Sequence, residues 1–444
     1  MPDLGDLCRA AVEAATGDEQ VEAFAEERTT TEVDALRGEV EGLTFAESRG
    51  VGVRVISGGR LGFAYAADPS LDEVRDTVAR ARENAALASE DPFNALPEAR
   101  PIEMLDGLYS ESLAAMSTED KVPIALGMER LATSTDPRVT KTEAIQYGDV
   151  VGRIAIASTT GVEAEDRGTG CWCVAVTLAE QDDDTQTGFS YKVGHRLEEL
   201  DPDAVALEAV ERAARLLGAA KPETARVPAV LDPVAASAFL GVLSGGLSAE
   251  AVQKQRSLFA SLVGEQVASD ALTLVDDGRL LDGPAAAPVD GEGVPTGRTE
   301  LISNGVLNGF LHNTYTALRG GASSTGNATR GYRSTPGVGT TNLFVEPGTA
   351  TFDELLRRAE GGVLIQDVTG VHSGANPISG EFSVGATGLR ITDGALGEPV
   401  REMTVASTIP EMLRGIQAVG DTIRWFSSVG TPPILLAEVT LGGT

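Results

Sequence analysis

The chain has 444 residues, of which 42% are hydrophobic and 23% charged, so it can fill two or three compact domains and is not a disordered chain. Its formal net charge of −31 argues against proteins that bind phosphate backbones, because that field repels nucleic acid. The three cysteines, at positions 8, 171 and 173, are too few for a disulfide framework and are typical of a reducing compartment.

The amino-terminal sequence and the hydropathy pattern bear on localisation. The first twenty residues contain neither a basic region nor an apolar core of signal-peptide length. No stretch is apolar for long enough to span a bilayer. We therefore expect a cytoplasmic protein that has neither a membrane nor a nucleic acid among its partners.

The first half of the chain contains two runs of predicted strands, with helices between and after them. Alternating sequences joined by short Gly-bearing turns predict antiparallel hairpins. Ser70, with Glu73 three residues later, predicts the N-cap of a helix. The predicted helices cover residues 71–88, 118–133 and 202–217, and the predicted strands cover residues 21–30, 38–48, 51–59, 60–68, 139–149, 151–159, 161–168, 171–181 and 187–195.

The repeated order of strands and helices predicts a loose internal duplication in the first half. A polar, Pro-bearing stretch near residue 222 predicts a domain boundary, which gives an amino-terminal domain over 1–222 and a carboxy-terminal domain over 223–444. The predicted fold class is α+β. It combines an amino-terminal antiparallel sheet with helices and a β-rich carboxy-terminal domain with peripheral helices.

The second half is predicted to be mostly short strands separated by Gly-rich turns. Asp232 as N-cap and Pro233 at the first helical position predict a helix start. The dipeptide Asn304-Gly305 predicts a tight hairpin. Two further short helices are predicted over residues 352–358 and 410–414.

The usual sequence patterns of metal and nucleophile chemistry are missing. The three histidines, at 195, 312 and 372, are far apart in the chain, and no HExxH, HExxxH or CxxC occurs. Cys171 and Cys173 share one face of a predicted strand, where two buried apolar residues are a better interpretation than a metal clip. Neither a G-x-S-x-G elbow nor a dinucleotide fingerprint is present.

Three Gly-rich polar segments of the second half remain as candidates for function. The first, residues 289–320, places Asp290 and Glu292 in a turn. The second, 322–348, could offer backbone N–H groups and guanidinium groups to a carboxylate or phosphate, or could be a mobile surface loop. The third, 370–388, carries a lone histidine that is either structural or a general base. The candidate side chains of the second and third segments include Ser324, Thr325, Asn327, Arg330, Arg333, His372, Ser373, Asn376 and Glu381.

These segments resemble the TldD/PmbA family of peptidase proteins. The matching sequences are DGEGVPTGRT, STGNATRGY, HSGANPISGEFSVGA and RWFSSVGTP, which occur in the family's order, together with an amino-terminal stretch over 37–68. The resemblance covers nearly the whole chain. It implies an α+β fold with a β-rich carboxy-terminal domain, and a protein that works in a pair.

The resemblance also assigns the chain to one of two branches. The TldD type binds zinc through an HExxxH helix and a later cysteine, and it cuts short or unfolded peptides. Here FLGVLSGGLSAEAV stands in that place, with Leu240 and Gly245 at the histidine positions and Gly241 at the glutamate. The resemblance therefore implies the metal-free, TldE or PmbA type, with no cofactor in this chain and zinc in a TldD-like partner. The candidates for contact with the peptide are Asn327, Arg330, His372, Ser373, Asn376 and Phe382.

Three functions stay open at this point. The first is a non-catalytic subunit of a heteromeric zinc peptidase that degrades or matures small unfolded peptides. The second is a stand-alone hydrolase with His372 as base, assisted by Ser373, Asn376 or Glu381. The third is a regulatory binding protein, suggested by the family's older label as a modulator of DNA gyrase. A homodimer in the absence of the partner is a further possibility.

Overall fold

The computed structural model describes residues 2–443, and its amino-terminal half is built from two copies of one α-β-β-β-α unit. The first copy consists of α1 (Leu4–Glu13), β1 (Gln20–Leu36), β2 (Glu39–Ser57), β3 (Arg60–Ala67) and α2 (Leu71–Leu87). After the short α3 (Glu111–Ala114), the second copy consists of α4 (Thr118–Thr135), β4 (Lys141–Ser158), β5 (Glu163–Gln181), β6 (Asp184–Gly194) and α5 (Pro202–Ala214). The predicted duplication is thus present in the fold.

The six strands of the two copies form a single antiparallel sheet. Its order is β3-β2-β1-β4-β5-β6, so the copies meet where β1 pairs with β4. The predicted strands 38–48 and 51–59 are one continuous strand, β2, because β1 pairs with it from end to end. The capping box at Ser70 forms as predicted, with the Glu73 carboxylate accepting from the Ser70 N–H at 2.7 Å.

Helices cover one face of this sheet and bury its alternating apolar side chains. In β5 the buried residues include Cys171 and Cys173, which lie in the core against α4 and α5 and are free thiols. Burial raises the pKa of Cys173 to about 12, so this thiol is held in its neutral form. The buried-core interpretation of this cysteine pair is confirmed.

The carboxy-terminal half is mostly β and is organised around two six-stranded sheets. The first contains β7 (Ala225–Leu231), β14 (Val363–Thr369), β15 (Glu381–Thr392), β16 (Ala395–Thr408), β17 (Ile416–Val419) and β20 (Ile434–Gly442). The second contains β8 (Leu274–Asp277), β9 (Arg298–Ser303), β10 (Val306–Leu307), β13 (Leu343–Val345), β18 (Arg424–Phe426) and β19 (Val429–Thr431), and a small ribbon joins β11 (Ala328–Thr329) to β12 (Gly337–Val338).

The first of these sheets closes on itself. Its order is β16-β15-β14-β7-β20-β17, and β16 also pairs with β20. The helices around the two sheets are α6 (Pro233–Ser244), α7 (Ala249–Gln253), α8 (Thr314–Gly320), α9 (Phe352–Arg358), α10 (Val371–Gly374) and α11 (Ile409–Arg414). The α+β class and the β-rich carboxy-terminal half are confirmed.

Two local predictions in this half are also confirmed. Asp232 caps α6 by accepting from the Val234 N–H at 3.0 Å, with Pro233 at the first helical position. Asn304 and Gly305 form the turn between β9 and β10, both with positive φ (46° and 81°), as a two-residue hairpin requires.

Helix α6 lies in the main core of this half. Its residues Phe239, Leu240 and Leu243 are buried in a cluster that includes side chains from both sheets. Phe382 belongs to the same cluster, so α6 and the segment 370–382 that follows β14 lie side by side. No helix within residues 2–443 is long and apolar enough to cross a membrane.

Candidate functional site

The end of α6 is where the resemblance places the ligands of the zinc-bearing branch. Leu240 is buried, whereas Gly241 and Gly245 lie on the exposed side, and a Cβ atom at either glycine would meet no atom within 4 Å. None of the three can donate to zinc. Nowhere in residues 2–443 do three or more His, Cys, Asp or Glu side chains lie close enough to hold a metal ion. The side chains here therefore do not fit the metal site of a peptidase.

Beside α6 lies the segment 370–382, which holds four of the six predicted peptide-binding residues. Phe382 anchors it, because its ring is 2% exposed and packs edge-on against Phe239 of α6, with centroids 5.6 Å apart. The prediction that Phe382 contacts a peptide is corrected, since the ring is part of the core. His372, Ser373 and Asn376 are exposed and lie together around α10.

The polar groups of this segment mainly form its own turns. The Ser373 hydroxyl donates to the Gly370 carbonyl at 3.1 Å, and the Asn376 side chain accepts from the Ile378 and Ser379 N–H groups at 2.9 and 3.1 Å. No side chain among residues 2–443 hydrogen-bonds the His372 imidazole. A general base needs an orienting partner and a nucleophile within reach, and neither is assembled at His372.

A peptide could bind next to this segment as an added strand only if the following strand, β15, had a free edge. It does not have one along most of its length. It pairs with β16 over residues 381–392 and with β14 over residues 385–390. An added peptide strand therefore has no open ladder along most of β15. The accessible part of the candidate site is the exposed turn around His372 together with the glycine face of α6.

The second Gly-rich segment is an internal joint between the two halves of the chain. The side chain of Arg330 is buried, its guanidinium lies over the Phe24 ring at 5.0 Å, and it forms an ion pair with Glu22 of β1. Glu22 also accepts from Arg54 of β2 at 2.9 and 2.6 Å, and Arg54 in turn contacts Glu292 at 3.0 Å. We call these four residues the joint cluster.

The joint cluster pairs two carboxylates with two guanidinium groups, and it holds the Glu22 carboxylate in its ionised form. Burial acts to raise the pKa of Glu22, but Arg54 and Arg330 outweigh it, so that its pKa lies below the ordinary value. Glu292 also accepts from the Thr314 N–H at 2.9 Å. The prediction that Arg330 binds a peptide or phosphate is corrected, because its charge is used inside the protein.

Asn327 has the same kind of internal role. It is 3% exposed and donates to the Asp276 carboxylate at 2.7 Å and to the Gly339 carbonyl at 3.1 Å. Its predicted contact with a peptide is corrected for the same reason. The mobile-surface-loop alternative does not describe these two residues, because the Arg330 side chain is inaccessible to solvent and Asn327 is buried.

Asp290 organises the turn that carries Glu292. Its carboxylate accepts from the N–H groups of Glu292, Val294 and Ala328 at 2.9, 3.0 and 2.9 Å. Burial, followed by the neighbouring Glu292 charge, raises the pKa of Asp290 to about 7, while the three N–H groups act in the opposite direction. The turn therefore contains a carboxyl group that titrates near neutral pH.

We expect Asp290 to make the protein less stable as the pH rises towards neutrality. Its folded pKa of about 7 lies above the ordinary value of 3.8, so its contribution is complete below pH 4 and is lost as the pH passes 7. The melting temperature of the wild type should fall between pH 4 and pH 7 because of Asp290. In Asp290→Asn this part of the fall should be absent, so that plots of melting temperature against pH, measured between pH 4 and pH 8, differ in slope. Parallel curves would contradict the assignment.

A second joint connects α5 to the carboxy-terminal half. Arg212 of α5 donates to both oxygens of the Asp232 carboxylate at 3.0 and 3.1 Å and to the Gln366 carbonyl at 2.9 Å. Glu208, one turn earlier, accepts from Arg424 of β18 at 2.5 and 2.9 Å. The two joints connect the amino-terminal sheet and α5 to the carboxy-terminal half, and the second of them binds Asp232, the N-cap of α6.

The comparisons with known proteins agree with this architecture. Three family models match in order: PmbA/TldA metallopeptidase domain 1 over residues 21–85, the central domain over 111–217 and the C-terminal domain over 224–443. The matched segments cover both halves of the fold and place the protein in the PmbA/TldA metallopeptidase class. The chain belongs to the PmbA/TldD family.

Relatives from both branches are similar over most of their length. The chain is 26% identical to Metalloprotease PmbA of Escherichia coli O157:H7, over 99% of this chain and 96% of that protein. It is 28% identical to the Metalloprotease TldD homolog of Haemophilus influenzae, over 90% and 88% of the two chains.

Two solved structures share the whole fold. One, from Thermotoga maritima, is named as a proposed modulator of a DNA gyrase; it is 27% identical, with a TM-score of 0.91 over 98% of both chains. TldE from Thermococcus kodakarensis is 22% identical and has a TM-score of 0.91 over 99% of both chains, a likeness in fold alone.

Proposed function

We propose that this chain is the metal-free, TldE-type subunit of a heteromeric zinc metallopeptidase that acts on small unfolded peptides. The observation that carries the proposal is the donor set of α6. By the family resemblance, Leu240, Gly241 and Gly245 correspond to the two histidines and the glutamate of the zinc-bearing branch, while the family models match residues 21–85, 111–217 and 224–443. A zinc-bearing, TldD-like chain then supplies the metal and the activated water.

The role of this chain in the pair is to complete the substrate channel. The exposed turn with His372, Ser373 and Asn376 adjoins α6 through the Phe239–Phe382 contact, so it lies beside the place that corresponds to the partner's metal helix. A peptide held mainly by its backbone is bound with little regard to sequence, which suits unfolded substrates. A stand-alone hydrolase at His372 is the weaker alternative, because no described side chain orients its imidazole. The regulatory function stays a prediction.

The proposal is tested by measuring cleavage of an unfolded peptide by three samples. These are this chain alone, its HExxxH paralogue alone, and the two purified as a complex. We expect cleavage by the complex only, with loss on addition of a chelator. Cleavage by this chain alone that survives the chelator would overturn the proposal and return attention to His372.

Kinetic constants distinguish a peptide-binding role of His372 from a role as catalytic base. In the complex, His372→Ala should change KM by about two- to fivefold, as expected for loss of one partly exposed hydrogen bond, and should leave kcat unchanged. A general base in this position would lower kcat by about 10²–10⁴. Kinetics of wild type and His372→Ala, with Ser324→Ala in the second Gly-rich segment as a control, distinguish the two roles.

A further inference from the structure

One half of strand β2 has an unpaired edge. β1 pairs with β2 along its whole length, but β3 pairs only with residues 50–57. On the side of β2 that faces β3, residues 39–48 therefore have no strand partner among residues 2–443. Such an edge is a template for another strand, and proteins usually cover or blunt it.

The backbone groups on this edge can be assigned by alternation. The Arg49 carbonyl points to the β3 side, because it accepts from the Asp68 N–H at 3.1 Å. In an antiparallel ladder each residue directs its N–H and its C=O to the same side, and the side alternates along the strand. Between 42 and 49 the pairing with β1 has no irregularity, so Leu43, Phe45 and Glu47 direct their N–H and C=O groups to the free edge.

The side chains of this stretch are unusually apolar for a solvated edge. Val40, Leu43 and Phe45 are 38%, 52% and 57% exposed. Leu43 and Phe45 lie on one face of the strand, because they are two residues apart. A permanently exposed edge with these side chains would promote aggregation. A permanent protein partner is therefore a better interpretation than a ligand that binds transiently.

The second copy of the internal repeat shows how such an edge is covered. Thr169 of β5 lies twelve residues before the end of its strand, as Phe45 does in β2. The Thr169 N–H donates to the Leu108 carbonyl at 2.9 Å, and the Ser110 N–H donates to the Thr169 hydroxyl at 2.9 Å. Leu108 itself is 4% exposed. The chain thus covers the β5 edge at Thr169 with its own residues 108–110, whereas nothing among residues 2–443 pairs with the equivalent β2 edge at Phe45.

The charge of the edge selects the kind of partner. Between residues 38 and 48 the sequence has Glu39, Glu41 and Glu47 and neither Lys nor Arg. A second copy of this chain would bring the same three carboxylates and a further net charge of −31. An extended segment that alternates apolar with basic residues could pack its apolar side chains on the exposed apolar face and pair its basic side chains with the three glutamates.

We propose that residues 39–48 of β2 are a docking edge for an extended, apolar and basic strand of the zinc-bearing subunit. This inference rests on the proposed function, which supplies the partner. The partner strand adds to the amino-terminal sheet by backbone hydrogen bonds to Leu43, Phe45 and Glu47, at the edge position where the Leu108 carbonyl meets Thr169 on β5. The two subunits are then joined through this sheet as well as around the peptide channel.

The test compares two double variants in binding to the purified HExxxH paralogue. Leu43→Lys with Phe45→Lys should raise Kd about 100-fold or more, as for loss of central apolar anchors. Leu87→Lys with Val263→Lys, which adds the same charge at two other exposed apolar positions, should change Kd less than about twofold. Melting curves of the isolated chains check that both variants fold. Hydrogen exchange of residues 43–47 should slow in the wild-type complex.

The outcomes separate this inference from the proposed function. A wild-type complex that cleaves peptide, but assembles equally well with the Leu43/Phe45 variant and leaves 43–47 unprotected, overturns the docking edge alone. A wild-type chain that binds no HExxxH paralogue contradicts both. Loss of binding in the edge variant with an intact control supports both.

Discussion

Replacing Arg54 with alanine is expected to destabilise the protein by about 3–5 kcal/mol, the range found when one partner of a buried ion pair is removed. Arg54 contacts two carboxylates, Glu22 at 2.6 Å and Glu292 at 3.0 Å, in a site where all three side chains are nearly inaccessible. Without the guanidinium, only Arg330 remains to balance the two negative charges. The loss is measured as a shift of the chemical unfolding curve.

A matched surface pair serves as the control for this variant. Arg75 forms an exposed ion pair with Asp72 at 2.7 Å, and such pairs contribute roughly 0–1 kcal/mol. Arg75→Ala should therefore leave the unfolding midpoint almost unchanged. If Arg54→Ala and Arg75→Ala shifted the midpoint equally, the joint cluster would not be the buried connection between the two halves.

Gly62→Ala is expected to destabilise the amino-terminal sheet by about 3 kcal/mol, at the upper end of the range for overpacking. A Cβ atom at Gly62 would lie 1.9 Å from the Ala81 carbonyl oxygen and 2.3 Å from the Ala85 nitrogen, both backbone atoms of α2. Backbone atoms cannot move aside as a flexible side chain can. Strand β3 and α2 would have to separate.

The second copy of the repeat and an open glycine test this explanation. Gly188 of β6 meets the backbone of α5 in the same way, 2.1 Å from the Ala209 oxygen, so Gly188→Ala should have a similar effect. A Cβ atom at Gly127 of α4 would meet no atom within 4 Å outside the backbone of its own helix, and Gly127→Ala should stabilise the helix by up to about 1 kcal/mol. Equal thermal shifts for Gly62→Ala and Gly127→Ala would contradict the close packing.

The local elements of the fold were predictable because their signals are local. The capping box at Ser70, the Asp232-Pro233 start of α6 and the Asn304-Gly305 turn each depend on a few neighbouring residues. The length of β2 was not predictable, since only pairing with the full length of β1 shows that the glycines at 50 and 52 do not end the strand. Those glycines instead make room for Tyr332, which comes from the other half of the chain.

The candidate site was predicted less well, for a related reason. Arg330 and Asn327 are polar residues in a Gly-rich stretch, which suggests an exposed loop, but their partners Glu22 and Asp276 are far away in the sequence. Glu22 gives one weak signal, a charged residue within the apolar run at the start of β1. Phe382 was misplaced because burial against Phe239 depends on how β15 packs on α6.

The contrast between α6 and the joints indicates what the fold retains. The joint cluster and the Arg212–Asp232 pair connect the two halves, while α6 presents glycine at position 241 and at its C-cap, Gly245. Under the proposed function, a subunit that shapes a channel needs the first property and does not need a metal-binding helix.

The measurement that tests the central claim most directly is the zinc content of the purified complex with the HExxxH paralogue, compared with that of each chain alone. We predict one zinc per pair, present in the paralogue alone and missing from this chain alone. Stoichiometric zinc in the lone chain, together with peptide cleavage by it, would contradict its assignment as the metal-free subunit.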